Sequence, residues 1–275
     1  MKSNLFKTLI LLACVPLLLA SCSKKEKGSP AIVEPPAPVQ PLPPTPAHIT
    51  SGFDLAWSDE FDGTSLNMAK WMYRGDGTVR NLATVSKNTI SLDGSGNLVM
   101  RVTKDANGVY NVGQVATDGL FTQRYGYFEC RAKMNISIGP HVAFWLQSNT
   151  MGIETNDPAN NGTEIDIFEY HRKAPTTVFH NLHWNGYGAG HQTVGTKYQF
   201  SGVGTGYHVF GLEWNENEYV FYVDGKESWR TSDAISKIPQ YMILSTELTG
   251  WGGDPANGLF PDQVVFDYVR VYKKK

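Results

Sequence analysis

From Asn97 to the C-terminus, no window of twelve or more residues carries a sustained helical stripe of apolar side chains. The chain instead runs as short alternating segments punctuated by Gly, Asn and Asp. In Tyr125 to Met134, the side chains of Phe128, Cys130, Ala132 and Met134 fall on one face. Tyr127, Glu129, Arg131 and Lys133 take the other, which is the period of a strand. Glu218 to Glu227 reads as a hairpin, with Asp224-Gly225 able to adopt the positive φ of a tight turn. Asp267 to Tyr272 is a β-prone closing strand. Many strands with Gly-rich turns predict an all-β sandwich or barrel, here as one domain over residues 51–275.

The first residues read as an export signal over residues 1–21. Lys2 and Lys7 precede an apolar run from Leu9 to Leu19, which is shorter than the roughly 20 residues of a spanning helix. The run closes on Leu19-Ala20-Ser21-Cys22, which resembles a bacterial lipoprotein box, with Cys22 as the lipidated residue. An ordinary signal peptide with a chance cysteine is the alternative. Ser23 after the cysteine points to the outer membrane, with the domain on the periplasmic or cell-surface side. Residues 22–50 form a linker, because eight of the 15 prolines lie between Pro30 and Pro46 and such a stretch stays extended.

Charge and cysteine content narrow the partners. Of 24 Lys and Arg, Lys2 and Lys7 leave with the signal, so 22 face 26 Asp and Glu, a balance of −4. That sign argues against nucleic acid. Cys14 also leaves and Cys22 is acylated, so Cys130 alone remains and no intrachain disulfide is expected. A monomer is expected, held to the membrane through its lipid only.

Glu164-Ile-Asp-Ile-Phe-Glu169 is the chemically informative run. Side chains alternate along a strand, so Glu164 and Asp166 share a face while Glu169, five residues on, points the other way. One extra residue taken up as a β-bulge after Asp166 returns Glu169 to that face. Retaining glycosidases use two carboxyl groups about 5–5.5 Å apart, and clustered acids raise one another's pKa, which predicts one acid kept protonated. An exposed acidic edge strand or a calcium site is the competing reading of this hexapeptide.

From Leu55 to Tyr272 the chain resembles glycoside hydrolase family 16. The landmarks stand in order: Trp57-Ser-Asp-Glu-Phe-Asp-Gly63, Tyr125-Gly-Tyr-Phe-Glu-Cys-Arg131, Ala143-Phe-Trp-Leu146 and Glu164 to Glu169. Phe210 to Trp214, Phe221 to Gly225 and Asp267 to Tyr272 follow. The resemblance implies a two-sheet, concanavalin A-like β-jelly roll with a glycan cleft across its concave face. It implies Glu164 as nucleophile, Glu169 as general acid/base and Asp166 as the group that tunes the nucleophile. The bulged spacing resembles that of laminarinases, agarases, porphyranases and carrageenases.

The same resemblance puts Trp145 in the cleft floor and Trp251 in a loop lining the negative subsites; a core tryptophan is the alternative for each. Asn181 and His183 share a strand face, and His183 is expected near the acid/base, with a structural histidine as the alternative. His180, His183 and His191 lack a third metal ligand at useful spacing. Two departures concern the sugar. His141 stands where an aromatic platform is usual, and Glu247 lies in a strand that usually holds an asparagine, where it either adds a cleft contact or pairs with a base. Glu60 and Asp267 resemble positions some members use for a structural calcium, with hydrogen-bonded strand ends as the alternative; no cofactor is otherwise required. The implied activity is endo-acting, retaining hydrolysis of a β-linked polysaccharide, first a β-1,3-glucan and second a β-galactan. A non-catalytic glycan-binding lipoprotein is the reading from another class.

Overall fold

The computed structural model describes Ala47, Ile49 and residues 52–275; the expected signal, Cys22 and the remainder of the linker lie outside the described residues. The described chain forms two sheets, one of 11 strands and one of seven. Among the described residues helix is confined to single turns such as Pro158–Asn161, in keeping with the lack of a 3.6-residue stripe.

The two sheets face each other across one apolar core. Gly126–Lys133 shows why the sequence pattern demands this. Phe128, Cys130 and Ala132 are fully buried in the core, joined by Met134 and by Phe210, Leu212, Phe221, Val269 and Val271 from neighbouring strands. Tyr127 and Glu129 lie on the opposite face, as alternation predicts, yet they too are buried. Phe53 and Tyr272 pack with Tyr127 there. Burial pushes the Glu129 carboxyl up to about 7, with the Arg270 charge opposing it. The hairpin also forms as expected: Asp224 (φ 48°) and Gly225 (φ 74°) make the two-residue turn between Tyr219–Val223 and Lys226–Thr231.

The seven-stranded sheet carries the carboxylates. Its order across the sheet is Gln192–Gln199, Thr177–Trp184, Glu164–His171, Gly139–Gln147, Tyr241–Gly252, Gln114–Ala116 and Met72–Tyr73, all antiparallel. Against Thr177–Trp184 the register of Glu164–His171 shifts between Asp166 and Glu169, and against Gly139–Gln147 it shifts between Phe144 and Trp145. The β-bulge is thus where parity requires it. Ile167 and Phe168 both point into the core, so the strand buries Ile165, Ile167, Phe168 and Tyr170 there. Glu164, Asp166, Glu169 and His171 are left together on the other face.

The bulge is pinned from behind. The Ile167 carbonyl can only accept, so His180 Nδ1 carries a proton and donates to it at 2.7 Å. Burial lowers the His180 pKa to about 4, so the ring is neutral and its Nε2 accepts from Ser228 Oγ at 2.9 Å.

Candidate active site

Glu164 is reached from the neighbouring strand and from a loop. Gln147 Nε2 donates to Glu164 Oε2 at 2.8 Å. The Gln147 carbonyl is held by the Tyr241 hydroxyl at 3.0 Å, which sets the amide orientation. Tyr187, in the Gly-rich loop after Trp184, donates its hydroxyl to the same oxygen, Oε2, and accepts from Gln147 Nε2 at 2.6 Å.

Glu169 is held by a different set. His141 Nε2 lies 2.8 Å from Oε1, off the ring N–H axis, so charge attraction dominates the contact. Asn181 donates to Oε2. Asn181 can lean that way because Gly195 lies opposite it: a Cβ on Gly195 would sit 2.0 Å from Asn181 Oδ1. Asp166 lies between the glutamates, with His183 Nε2 at 3.4 Å from Oδ2. His183 in turn shares a proton with His191 at 2.9 Å, the two rings stacked. The histidine against the expected acid/base is therefore His141. His183, expected there, faces Glu164 in register and touches Asp166, because Asn181 occupies the position nearer Glu169.

The tryptophans separate. Trp145 lies on the cleft face with Ala143 and lines a cavity of about 110 Å³ with Glu164, Asp166, Glu169 and Tyr187. Its Nε1 donates to Ser245 Oγ at 3.1 Å, and the Arg74 guanidinium lies 5.2 Å over its ring. Trp251, 37 % exposed, stands at the Glu169 end, edge-on to His141, His171 and Phe179. Trp251, Phe179, Lys173 and Lys197 border a larger depression of about 800 Å³ with no acid in its lining; Asn181, which also lines it, bonds Glu169 of the smaller cavity. Glu247 answers both of its readings: it lines the catalytic cavity and is paired with Arg80 Nε at 3.1 Å, with Gln114 donating at 3.2 Å.

Calcium does not fit the pair named for it. Arg270 clamps Glu60 with two bonds of 3.1 and 2.8 Å, and Arg131 holds Asp267. A guanidinium on each carboxylate satisfies it and leaves no shared oxygen cage of the six to eight ligands calcium takes. The structure instead gathers Glu164, Asp166 and His183, whose donor atoms lie within 4.8 Å of one another. Spacing among histidines alone could not reveal that mixed group.

Burial is the largest influence on all three carboxyls and raises each of them. Glu164 is pushed up to about 7; the Tyr187 and Gln147 bonds oppose burial, while the charges of Glu169 and Glu247 add to it. Asp166 is raised well above the usual carboxylate range, by burial and then by Glu169 and Glu164. Glu169 ends below its ordinary value, because His141 and Asn181 outweigh its burial. Burial would lower His141, but Glu169 overcomes this and raises it. Repulsion among the acids therefore does not by itself keep Glu169 protonated. The group beside Glu169 whose protonated form is favoured is His141, with Nε2 2.8 Å from Oε1.

Residues 54–274 match the model for "Beta-porphyranase A-D, GH16 domain". The chain belongs to glycoside hydrolase family 16. It is 28% identical to the glucan endo-1,3-beta-glucosidase A1 of Niallia circulans, over 82% of this chain and 38% of that protein. It is 30% identical to the keratan-sulfate endo-1,4-beta-galactosidase of Sphingobacterium multivorum, over 82% of this chain and 56% of that one. Among solved structures, the laminarinase of Rhodothermus marinus superposes with a TM-score of 0.69 at 27% identity, over 81% of this chain and 98% of that one. The chain spans between about a third and just over half of the first curated relatives it matches.

Sequence parity found the three acids, Asn181 and His183. It missed Tyr187 and Arg80, and weighed His180 only as a metal ligand. An aromatic in the run Asn185-Gly-Tyr-Gly-Ala-Gly190, placed just after a cleft strand, was the available signal for Tyr187. Nothing local marks Arg80, which reaches Glu247 across 167 positions of sequence.

Proposed function

We propose that this protein is an endo-acting, retaining β-glycanase. The observation that carries the reading is the bulged strand, which presents Glu164 and Glu169 on one face with Asp166 between them and gives each glutamate its own set of partners. A Glu164 carboxylate oxygen attacks the anomeric carbon as the glycosidic C–O bond breaks. The proton passes from His141 to Glu169 and on to the leaving sugar oxygen. Water, deprotonated by Glu169, then attacks the same carbon and releases Glu164. Burial and the neighbouring glutamates favour the neutral form of Asp166, which would spare the nucleophile a second negative charge.

A β-1,3-glucan is the first substrate class, supported by the glucanase and laminarinase relatives. A β-galactan is the second, favoured by the porphyranase-type family match and the galactosidase relative. The acid-free depression with Lys173 and Lys197 suits an anionic glycan and supports the same reading. Digestion of laminarin, mixed-linkage glucan, agarose, porphyran and mucin decides between them, with products sized by mass spectrometry. Proton NMR of the first products should show the β-anomer before mutarotation; initial α-anomer would exclude the retaining route.

The reading includes an outer-membrane lipoprotein anchored through Cys22, with the proline-rich linker spacing the domain from the bilayer. Cys22→Ser should move the protein from the membrane fraction to the soluble one. An unchanged membrane fraction would refute the anchor.

A further inference from the structure

Tyr187 combines an exposed body with an engaged tip. The residue is 65 % exposed, yet its hydroxyl reaches into the catalytic cavity and bonds both Glu164 and Gln147. A tyrosine so exposed contributes little by packing, so what it offers lies in that hydroxyl. The loop that carries it is tied down at its base. Asn185 Oδ1 accepts from the Asn156 backbone at 2.7 Å, Asn185 Nδ2 donates to the Gly190 carbonyl at 3.3 Å, and His191 N donates to Gly188 at 3.1 Å. Asn185 (φ 65°) and Gly186 (φ 69°) are both left-handed, which turns the chain back so that residue 187 overhangs the cleft. Gly186 also passes against Gly152, where a Cβ on residue 152 would lie 2.6 Å from the Gly186 Cα.

The two oxygens of Glu164 are therefore unequal. Oε2 receives both Gln147 Nε2 and the Tyr187 hydroxyl, and among the described residues no donor is bonded to Oε1. We infer that Tyr187 is a positioning residue for the covalent step, holding Glu164 Oε2 so that Oε1 is the oxygen that attacks the anomeric carbon. This rests on the retaining reading given above.

The electron balance is simple. An Oε1 lone pair forms the new C–O bond as the glycosidic C–O bond breaks, and the leaving oxygen takes its proton from Glu169. Tyr187 keeps its own proton throughout. Oε2 becomes the ester carbonyl oxygen and recovers negative charge when water displaces the carboxylate. A donor fixed on Oε2 therefore favours departure of Glu164 in the second step, since it binds a carboxylate more strongly than an ester.

The same bond favours the ionised form of Glu164, because a hydrogen bond to the charged form lowers a carboxyl pKa. The other groups facing Glu164 are Asp166 and Glu169 on its own strand, His183 with His191 behind it, Gln147 and His141, and Glu247 with Arg80. Burial, Glu169 and Glu247 act against ionisation, so Tyr187 and Gln147 are the hydrogen-bond donors that oppose them.

Tyr187→Phe removes only the hydroxyl. It should lower kcat at neutral pH by about 10- to 100-fold, the worth of a hydrogen bond to a charged group. The acid limb of kcat/KM should move to higher pH. A carbon-13 carboxyl NMR titration, assigned with Glu164→Gln, should show the Glu164 titration moving the same way with no substrate present. An unchanged thermal midpoint would show the variant to be folded. A Glu164 titration and acid limb both unmoved in folded Tyr187→Phe would overturn the inference, while inactive Glu164→Gln kept the nucleophile reading intact. Full activity in Glu164→Gln would instead remove the reading on which the inference stands.

Discussion

Replacing Glu164 by glycine is expected to lower kcat on the cognate polysaccharide by about 10⁴-fold or more, the scale of loss for an essential catalytic group. Added azide should then restore turnover. The missing side chain leaves a space beside the anomeric carbon, and a small anion can enter it and form the bond that Oε1 would have formed. The glycosyl azide should carry the anomeric configuration opposite to that of the substrate, because only one displacement has occurred. Rescue with this stereochemistry assigns Glu164 as nucleophile in a way that loss of activity alone cannot. Near-wild-type turnover in Glu164→Gly, or a rescued product of unchanged configuration, would defeat the assignment.

Removing Glu169 should cost about 10²- to 10⁴-fold on a polysaccharide, the range for general acid–base assistance. The loss should depend on the leaving group. A dinitrophenyl glycoside, whose oxygen needs no proton, should still form the covalent intermediate, which then accumulates because water lacks its base. The pH profile adds a second check. Glu164 must be ionised, and burial pushes its pKa up to about 7, so activity should rise as the pH climbs through that region. The basic limb should report loss of the proton shared by His141 and Glu169, the histidine being raised by its partner. Glu169→Ala leaves no acid for that proton to reach, so the basic limb should vanish while the acid limb stays. A basic limb that persisted unchanged in Glu169→Ala would assign it to another group.

How much of this was legible beforehand varies with the distance over which each feature is decided. Strand periodicity at Phe128, Cys130, Ala132 and Met134 is a local property, because neighbours two apart must share a face. The bulge was equally legible: two carboxylates five residues apart can cooperate only if one residue drops out of the alternation, and Ile167 and Phe168 supply it by both turning inward. Protonation was not legible. Whether Glu169 sits above or below its ordinary value depends on His141, contributed by a strand 28 positions earlier, and on Asn181, contributed by the next. His183 feels the Glu169 charge, as a position near it requires, but its nearest carboxylate is Asp166, a detail of cross-strand register that cannot be read from either strand alone.

Taken by itself, the amino-acid sequence determined the sheet-rich class, the shared face of Glu164 and Asp166, and the need for a bulge to bring Glu169 onto it. Each of these follows from the alternation of side chains along a single strand. The tertiary structure alone decided which groups surround the trio: His141 against Glu169, Tyr187 over Glu164, and His180 behind the Ile167 carbonyl. It also gave Glu60 and Asp267 arginine partners, in keeping with the hydrogen-bonded reading of those two strand positions. Hydrogen bonds and charge act over a few ångströms, and only folding brings residues distant in sequence within that range.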